Sequence, residues 1–383
     1  MRVSEGQAVA LLHELVATPS VSGQEHRAVE LLVRAMAELG MRAWIDRAGN
    51  AIGQVGSDAS DARELLLLGH IDTVPGWLPV GIQGRWLTGR GSVDAKGPLC
   101  AMVLAAASAR LPAGVRLVVA GAVGEETPGS PGATALRDRH RPAACIIGEP
   151  SGWQRYTIGY KGRLIVHALF EQDAGHSAHP GGSVGDAALV WHRRVMALVR
   201  AHNRGRRGAF GTLAATCQGM ATASDGLRDQ AELTIGLRLP PGCDPSELES
   251  RLRQTARVQR LGFEGHAKAH LEPRSSPVAG ALASAIARAG GRPVATTKTG
   301  TSDMNTVAQA FACPIAAYGP GDSALDHTPK ERLDLDEYLR SIGVLTDAIE
   351  HLAEDGLERC ALACGHAPGR RDAFAPAAQA PHG

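Results

Sequence analysis

Three short apolar runs, Leu65 to Leu68, Val115 to Val123 and Ala143 to Ile147, each stop within a few residues of an imidazole or a carboxylate. An unbroken apolar run of strand length suits a strand covered by helices on both faces, so the expected fold class is α/β with a largely parallel sheet. Open sheets of this kind gather ligands at the carboxyl ends of their strands. The first run leads into His70 and, two residues on, Asp72; the second leads into Glu125 and Glu126; the third leads into Glu149. A Gly-rich turn, GRGSVDAKGPL, brings in Asp94 ahead of an Ala-rich stretch, Leu99 to Ala109, that reads as a buried helix. A further apolar stretch, Ile315 to Tyr318, precedes Asp326 and His327.

A catalytic metal centre needs imidazole and carboxylate ligands on rigid supports, and a carboxylate left unbound as a base. One early histidine, several central acids and one late histidine meet that need, and such a ligand set suits two zinc-like ions better than one, with a carboxylate bridging them. Asp72 lies on the same side of an extended chain as His70, where it can accept the other ring N–H and fix the tautomer. Adjacent residues on a bending chain point differently, so one of Glu125 and Glu126 can bind metal while the other takes a proton.

The segments HIDTVP, GRGSVDAKGP, GEE, GEPS, HSAHP, RLPPG, GTSD and DHTP occur in this order across nearly the whole chain. In this the sequence resembles the di-zinc metallopeptidases and amidohydrolases, which include aminoacylases, acetylornithine deacetylase, succinyl-diaminopimelate desuccinylase and glutamate carboxypeptidases. The resemblance implies Asp94 as the bridging ligand, His70 and Glu149 as ligands of one ion, and Glu126 and His327 as ligands of the other. It makes Glu125 the general base and Asp72 the orienter of His70. The ions implied are divalent, zinc foremost and cobalt as the alternative. VDAKGPL, GYKGR at Gly159 to Arg163 and KTGTSDMN at Lys298 to Asn305 are most similar to one branch. Its members release lysine or ornithine from the glutamate of an amino-group carrier protein, so an acidic carrier protein is the implied substrate, in lysine or arginine biosynthesis.

From Thr157 the pattern changes to RLIVHALFE, a helix from Asp186 to His202, ELTIGLRL and a helix from Pro245 to Gln259. Two strand–helix units of this kind predict a small α+β domain, ferredoxin-like by resemblance, inserted at residues 157–273 into a catalytic domain made of 1–156 and 274–355. The Ala- and Pro-rich tail, 356–383, lacks apolar periodicity and is expected to be disordered, with no role for Cys360, Cys364 and His366. Within HSAHP a histidine is by default a polar surface group. The resemblance instead has His176 reach the active site of a partner subunit and steady the oxyanion, which implies a homodimer built through the inserted domain; His179 competes for that role. Arg238 in LRLPPG is either a strand-end surface arginine or, as the resemblance implies, the group that binds the substrate α-carboxylate. Many members of the family it resembles carry an asparagine before this strand, whereas TASDGLRD around Ser224 and Asp225 has none. By resemblance, Thr301, Ser302, Asp303, Gly319 and Gly321 line the substrate pocket.

A formal net charge of +1 argues against general nucleic-acid binding. The Arg-rich segments Arg137 to Arg141 and His202 to Arg207 read as solvated charged faces that an acidic partner can still meet. No apolar run reaches membrane-spanning length and the N-terminal segment carries Glu5 and Glu14, so a cytoplasmic protein with no membrane association is expected. Seven scattered cysteines fit a reducing compartment. Two alternatives stand beside the carrier-protein hydrolase. A deacetylase of acetylornithine or acetyl-lysine, or a related succinyl-amino-acid hydrolase, turns over small acylated amino acids; a metal-free binding or scaffold protein takes up no metal.

Overall fold

The computed structural model describes residues 3–176, 182–255 and 258–356, and among these the chain forms three sheets. The largest has nine strands, in the order Arg42–Ile45, Ala51–Gly56, Val115–Ala122, Arg63–His70, Ala144–Gly148, Ile315–Ala317, Arg155–Tyr160 and His270–Leu271, with Val294–Lys298 also pairing with Arg155–Tyr160. Its middle is parallel. Arg63–His70 lies between Val115–Ala122 and Ala144–Gly148, with Leu65 opposite both Leu117 and Ala144, and Ile315–Ala317 continues parallel beyond. Strands that share a direction end on the same side of the sheet, so the groups following these four strands emerge together.

The local sequence explains the layers. Leu65 to Leu68 are fully buried, and alternate residues serve different cores: Leu65 and Leu67 pack on one face, Leu66 and Leu68 on the other. Burying each such side chain is worth roughly 1.5–3 kcal/mol, which is why the run is apolar without alternation. Helices Glu5–Ala17, His26–Glu38, Lys96–Ser108, Pro277–Arg288 and Leu335–His351 cover the first face, while Pro131–Arg139 and Asp303–Phe311 cover the second. Lys96–Ser108 is buried from Lys96 to Ala106, as its apolar circumference requires. The Lys96 ammonium is satisfied by the carbonyls of Leu15 at 3.0 Å and Thr18 at 2.7 Å.

The second sheet has four antiparallel strands in the order Ala214–Ser224, Arg228–Leu239, Gly162–Asp173 and Arg260–Ala267. With helices Val184–His202 and Pro245–Thr255 it follows the β-α-β-β-α-β order of ferredoxin-like folds. Here the apolar residues do alternate, because helices cover only one face: Leu233, Ile235 and Leu237 are buried under them, and Trp191 meets Phe170 edge-on with ring centroids 6.1 Å apart. The chain leaves the large sheet after Tyr160 and rejoins it at His270, inside the 157–273 expected. Arg155–Tyr160 and His270–Leu271 pair with each other there, Tyr160 opposite His270.

A small third sheet pairs Arg332–Asp334 with Trp86–Thr88 and Gly81–Gln83, tying the segment after His327 to the one before Asp94. The last helix continues through Leu352–Gly356. His179 and the tail at 357–383, with Cys360, Cys364 and His366, lie outside the described residues. Among the described residues no helix is long and apolar enough to cross a membrane.

Candidate metal centre

The parallel strands deliver His70, Glu125, Glu126 and Glu149 to the same end of the sheet, and the turn before helix Lys96–Ser108 delivers Asp94 to meet them. Asp94 is the hub. Its Oδ1 lies 3.1 Å from His70 Nε2 and its Oδ2 lies 3.0 Å from His327 Nε2, so each oxygen faces a different imidazole. Glu126 Oε1 is 2.8 Å from His327 Nε2. Candidate ligand atoms within 4.8 Å of one another form the sets His70, Asp94 and Glu149; Asp94, Glu126 and His327; and His70, Glu125 and Glu126. The first two share Asp94, as a bridging carboxylate requires. Glu125 occurs only in the third, next to both positions.

The donor chemistry fits divalent ions. Ligands about 2.0–2.2 Å from a tetrahedral ion lie roughly 3.3–3.6 Å apart, so the imidazole–carboxylate pairs here need to part by only a few tenths of an ångström. The charge also fits. Burial lowers the His70 imidazole, but hydrogen bonds to Asp72 and Asp94 outweigh it and hold the group well above its ordinary range. His327 is pushed up to about 10 by its hydrogen bonds to Asp94 and Glu126. Burial opposes ionisation of Asp94, yet His327 and His70 hold it well below the carboxylate range. Burial raises Glu149 to about 8, with Asp94 adding to it, and raises Glu125 well above its ordinary value against the pull of His70. Metal ions satisfy such surplus acids as protons otherwise do.

Asp72 meets His70 through both its main chain and its carboxylate. His70 Nδ1 is 3.0 Å from the Asp72 backbone carbonyl and 3.5 Å from its carboxylate, so the main chain is the closer orienter. The carboxylate also accepts the backbone N–H groups of Glu125 and Glu126, both at 3.0 Å, and the Ser22 hydroxyl at 2.7 Å. It fixes the turn that carries the two glutamates. Glu331, which the sequence reading missed, does the same for Asp94. It accepts the N–H groups of Val93 at 3.0 Å and Asp94 at 3.2 Å and pairs with Arg90 at 2.7 Å. Its signal was only its place four residues after His327. His327 itself has φ +61°, a left-handed conformation costly for a non-glycine residue and common where a site dictates side-chain direction.

These groups open onto a cavity of about 1270 Å³ that reaches across to the second sheet. Asp94, Glu125, Glu126, Glu149 and His327 form its floor, and Arg238, Thr301 and Ser302 line it, with Arg238 Nη1 donating to Thr301 Oγ1 at 3.2 Å. Asp303 is not on the lining. It is buried, and burial raises it to about 7 with Asp72 adding to the effect against His70. Gly319 and Gly321 are likewise not among the residues lining the cavity. A Cβ on Gly319 would lie 2.6 Å from Pro98 and one on Gly321 2.9 Å from Val93, so both glycines serve close packing behind the site. His176 is exposed and does not line its own chain's cavity. Ser224 and Asp225 lie at an exposed hairpin turn, where Asp225 accepts the N–H groups of Leu227 and Arg228.

Comparison with known proteins gives the same family from an independent direction. The sequence profile of peptidase family M20/M25/M40 matches residues 66–351. A protein of Deinococcus radiodurans named LysW-lysine hydrolase is 44% identical over 351 residues, covering 89% of this chain and 96% of that one. A protein of Pyrococcus abyssi named putative LysW-lysine/LysW-ornithine hydrolase is 36% identical, covering 94% and 98%. Among solved structures, an M20 family metallo-carboxypeptidase of Sulfolobus solfataricus superposes with a TM-score of 0.74 at 16% identity, over 90% of this chain and 98% of that one. A dinuclear metal binding peptidase of the M20 family from Bacillus subtilis gives 0.67 at 12% identity, over 91% and 98%. With the profile and the Deinococcus relative both spanning most of its length, the chain belongs to peptidase family M20/M25/M40.

Proposed function

We propose that this hydrolase cleaves the amide joining lysine to the side chain of a glutamate on a LysW-type carrier protein, with ornithine as the second acceptable amine. The chemistry rests on one observation above all, the Asp94 carboxylate with one oxygen toward each histidine. The substrate class rests on the names of the relatives from Deinococcus and Pyrococcus. In this reading His70, Asp94 and Glu149 hold one divalent ion, zinc foremost, and Asp94, Glu126 and His327 hold the other. When bound, the ions supply Lewis acidity and lower the pKa of a water toward about 7.

The chain's own groups do the rest. Glu125, buried beside both ligand sets, takes a proton from the attacking water and returns it to the departing amine. Asp72 and Glu331 keep the glutamate turn and the Asp94 turn in position. Arg238, desolvated and within electrostatic reach of Glu125, holds the α-carboxylate of the leaving amino acid. Arg137 at the cavity wall, with the arginines that follow it, supports docking of an acidic carrier.

The test is amino-acid release by metal-loaded protein from carrier bearing γ-linked lysine or ornithine, beside N-acetyl-lysine and N-acetylornithine. Cleavage confined to the carrier conjugates is expected. Comparable turnover of the free acetylated amino acids would make the chain a conventional deacetylase.

A homodimer through the second sheet is part of the proposal. Ala214–Ser224 is an edge strand exposed along nearly its whole length, and Leu189, Val190 and Met220 are 50%, 48% and 42% exposed. Such an edge invites pairing with a second copy, and dimerisation gives the outlying His176 a route to the partner's oxyanion. Sedimentation is expected to give twice the chain mass. The double variant Leu189→Asp, Met220→Asp should sediment as a monomer with activity lowered at least about tenfold, in line with removal of one oxyanion donor; a fully active monomer would contradict the role of His176.

A further inference from the structure

Arg163 and Arg238 are direct cross-strand partners in the second sheet. Residues so paired stand on one face with Cβ atoms about 5 Å apart, where like charges repel. Their neighbours Leu164 and Leu237 are buried under the helices, so both arginines project from the opposite face, the one that lines the cavity. The guanidinium of Arg238 is partly desolvated, and Arg163 adds to its electrostatic burden. Arg163 Nε is buried without a hydrogen-bond partner among the described residues. The side chain lies over Gly265, where a Cβ would come within 3.0 Å of that nitrogen, so the backbone is shaped to admit it. Nearby cations on the same wall are paired, Lys268 with Asp244 and His266 with Glu249, whereas neither arginine has a carboxylate partner among the described residues.

Two facing arginines with no carboxylate at ion-pair distance among the described residues, the nearest acid in electrostatic reach of Arg238 being the base Glu125, suit anions brought by the substrate. We infer that Arg163 binds a second substrate carboxylate, on the acyl side of the scissile amide, while Arg238 holds the carboxylate of the leaving amino acid. This deepens the proposed function and rests on it. An amide made through a glutamate side chain keeps the α-carboxyl of that glutamate, and this group is an anion when the glutamate ends its chain. Arg163 therefore selects a terminal γ-glutamyl donor over an internal one or a simple acetyl group. An acetyl donor leaves the buried Arg163 Nε unpaired, the situation that gives discrimination.

The probes are γ-glutamyl-lysine and 4-aminobutyryl-lysine, both linked through the lysine α-amine and differing only by the acyl-side carboxylate. Their binding to zinc-loaded protein is measured calorimetrically in a Glu125→Gln background, so that neither is consumed, with and without Arg163→Met. The parent is expected to prefer γ-glutamyl-lysine by about 10–100-fold, the size of a charge-assisted hydrogen-bonded contact. Arg163→Met should bind both alike, with unchanged affinity for 4-aminobutyryl-lysine. Absence of the preference in the parent, its persistence in Arg163→Met, equal weakening of both ligands, or binding of neither would overturn the assignment. Turnover of the carrier conjugate by the native enzyme, measured separately, reports on the parent reading alone.

Discussion

Glu125→Gln is expected to lower kcat by about 10²–10⁴-fold, the usual contribution of a positioned general base. The substitution keeps the size of the side chain and removes its ability to take a proton. Because Glu125 is absent from both ligand sets that share Asp94, metal content should stay at the native level. Its ionisation is opposed first by burial and further by Asp303, Glu149 and Glu126, so the neutral amide should also raise the melting temperature of the metal-free protein. Steady-state kinetics, metal analysis and thermal melts on one preparation check all three. Activity within tenfold of native would remove Glu125 from the role of base, and loss of metal would make it a ligand.

Stripping the ions should leave a protein that loses stability as pH rises, the reverse of ordinary acid denaturation. Glu149, Asp303 and Asp326 are pushed up to about 8, 7 and 9, burial being the largest cause for each, and His327 to about 10 by its carboxylate partners. All four bind protons more tightly folded than unfolded. Their contribution is therefore fully present below the unfolded values, about 4 for the acids and 6.5 for the histidine, and is lost as pH climbs through the folded values. Between pH 5 and 9 the melting temperature of the metal-free chain should fall, by on the order of 10 °C. Ions at about a thousand times their dissociation constant add about 4 kcal/mol per site. Their affinity should itself rise with pH, because each must displace protons from His70, His327 and the acids. The gap between loaded and stripped melting temperatures should thus widen with pH, and calorimetry should record proton release on metal addition. A flat or rising melting temperature for the stripped protein would show that the acids are not held protonated.

His70, Glu125, Glu126 and Glu149 were legible because each follows a buried strand, and parallel strands have no choice but to end together. Asp94 and His327 were legible through short motifs whose chemistry suits a metal. A motif shows that Gly319 and Gly321 are constrained, but the close approach of Pro98 and Val93 is visible only in the structure. Asp72 lies beside His70 as two residues of one extended segment must, yet its carboxylate is engaged mainly by the backbone of residues more than fifty positions away.

What the sequence by itself determined is therefore local or periodic: the apolar runs, the residues that close them, and the change of pattern that announces a second sheet. What only the tertiary structure decided is non-local. Glu331 reaches Asp94 across 237 positions, and the register that sets Arg163 opposite Arg238 joins strands separated by a helix and another strand. Periodicity reports which face a residue takes. Its neighbour on that face is set by strand pairing and chain return, which are governed by the packing of whole elements and leave no mark at either residue.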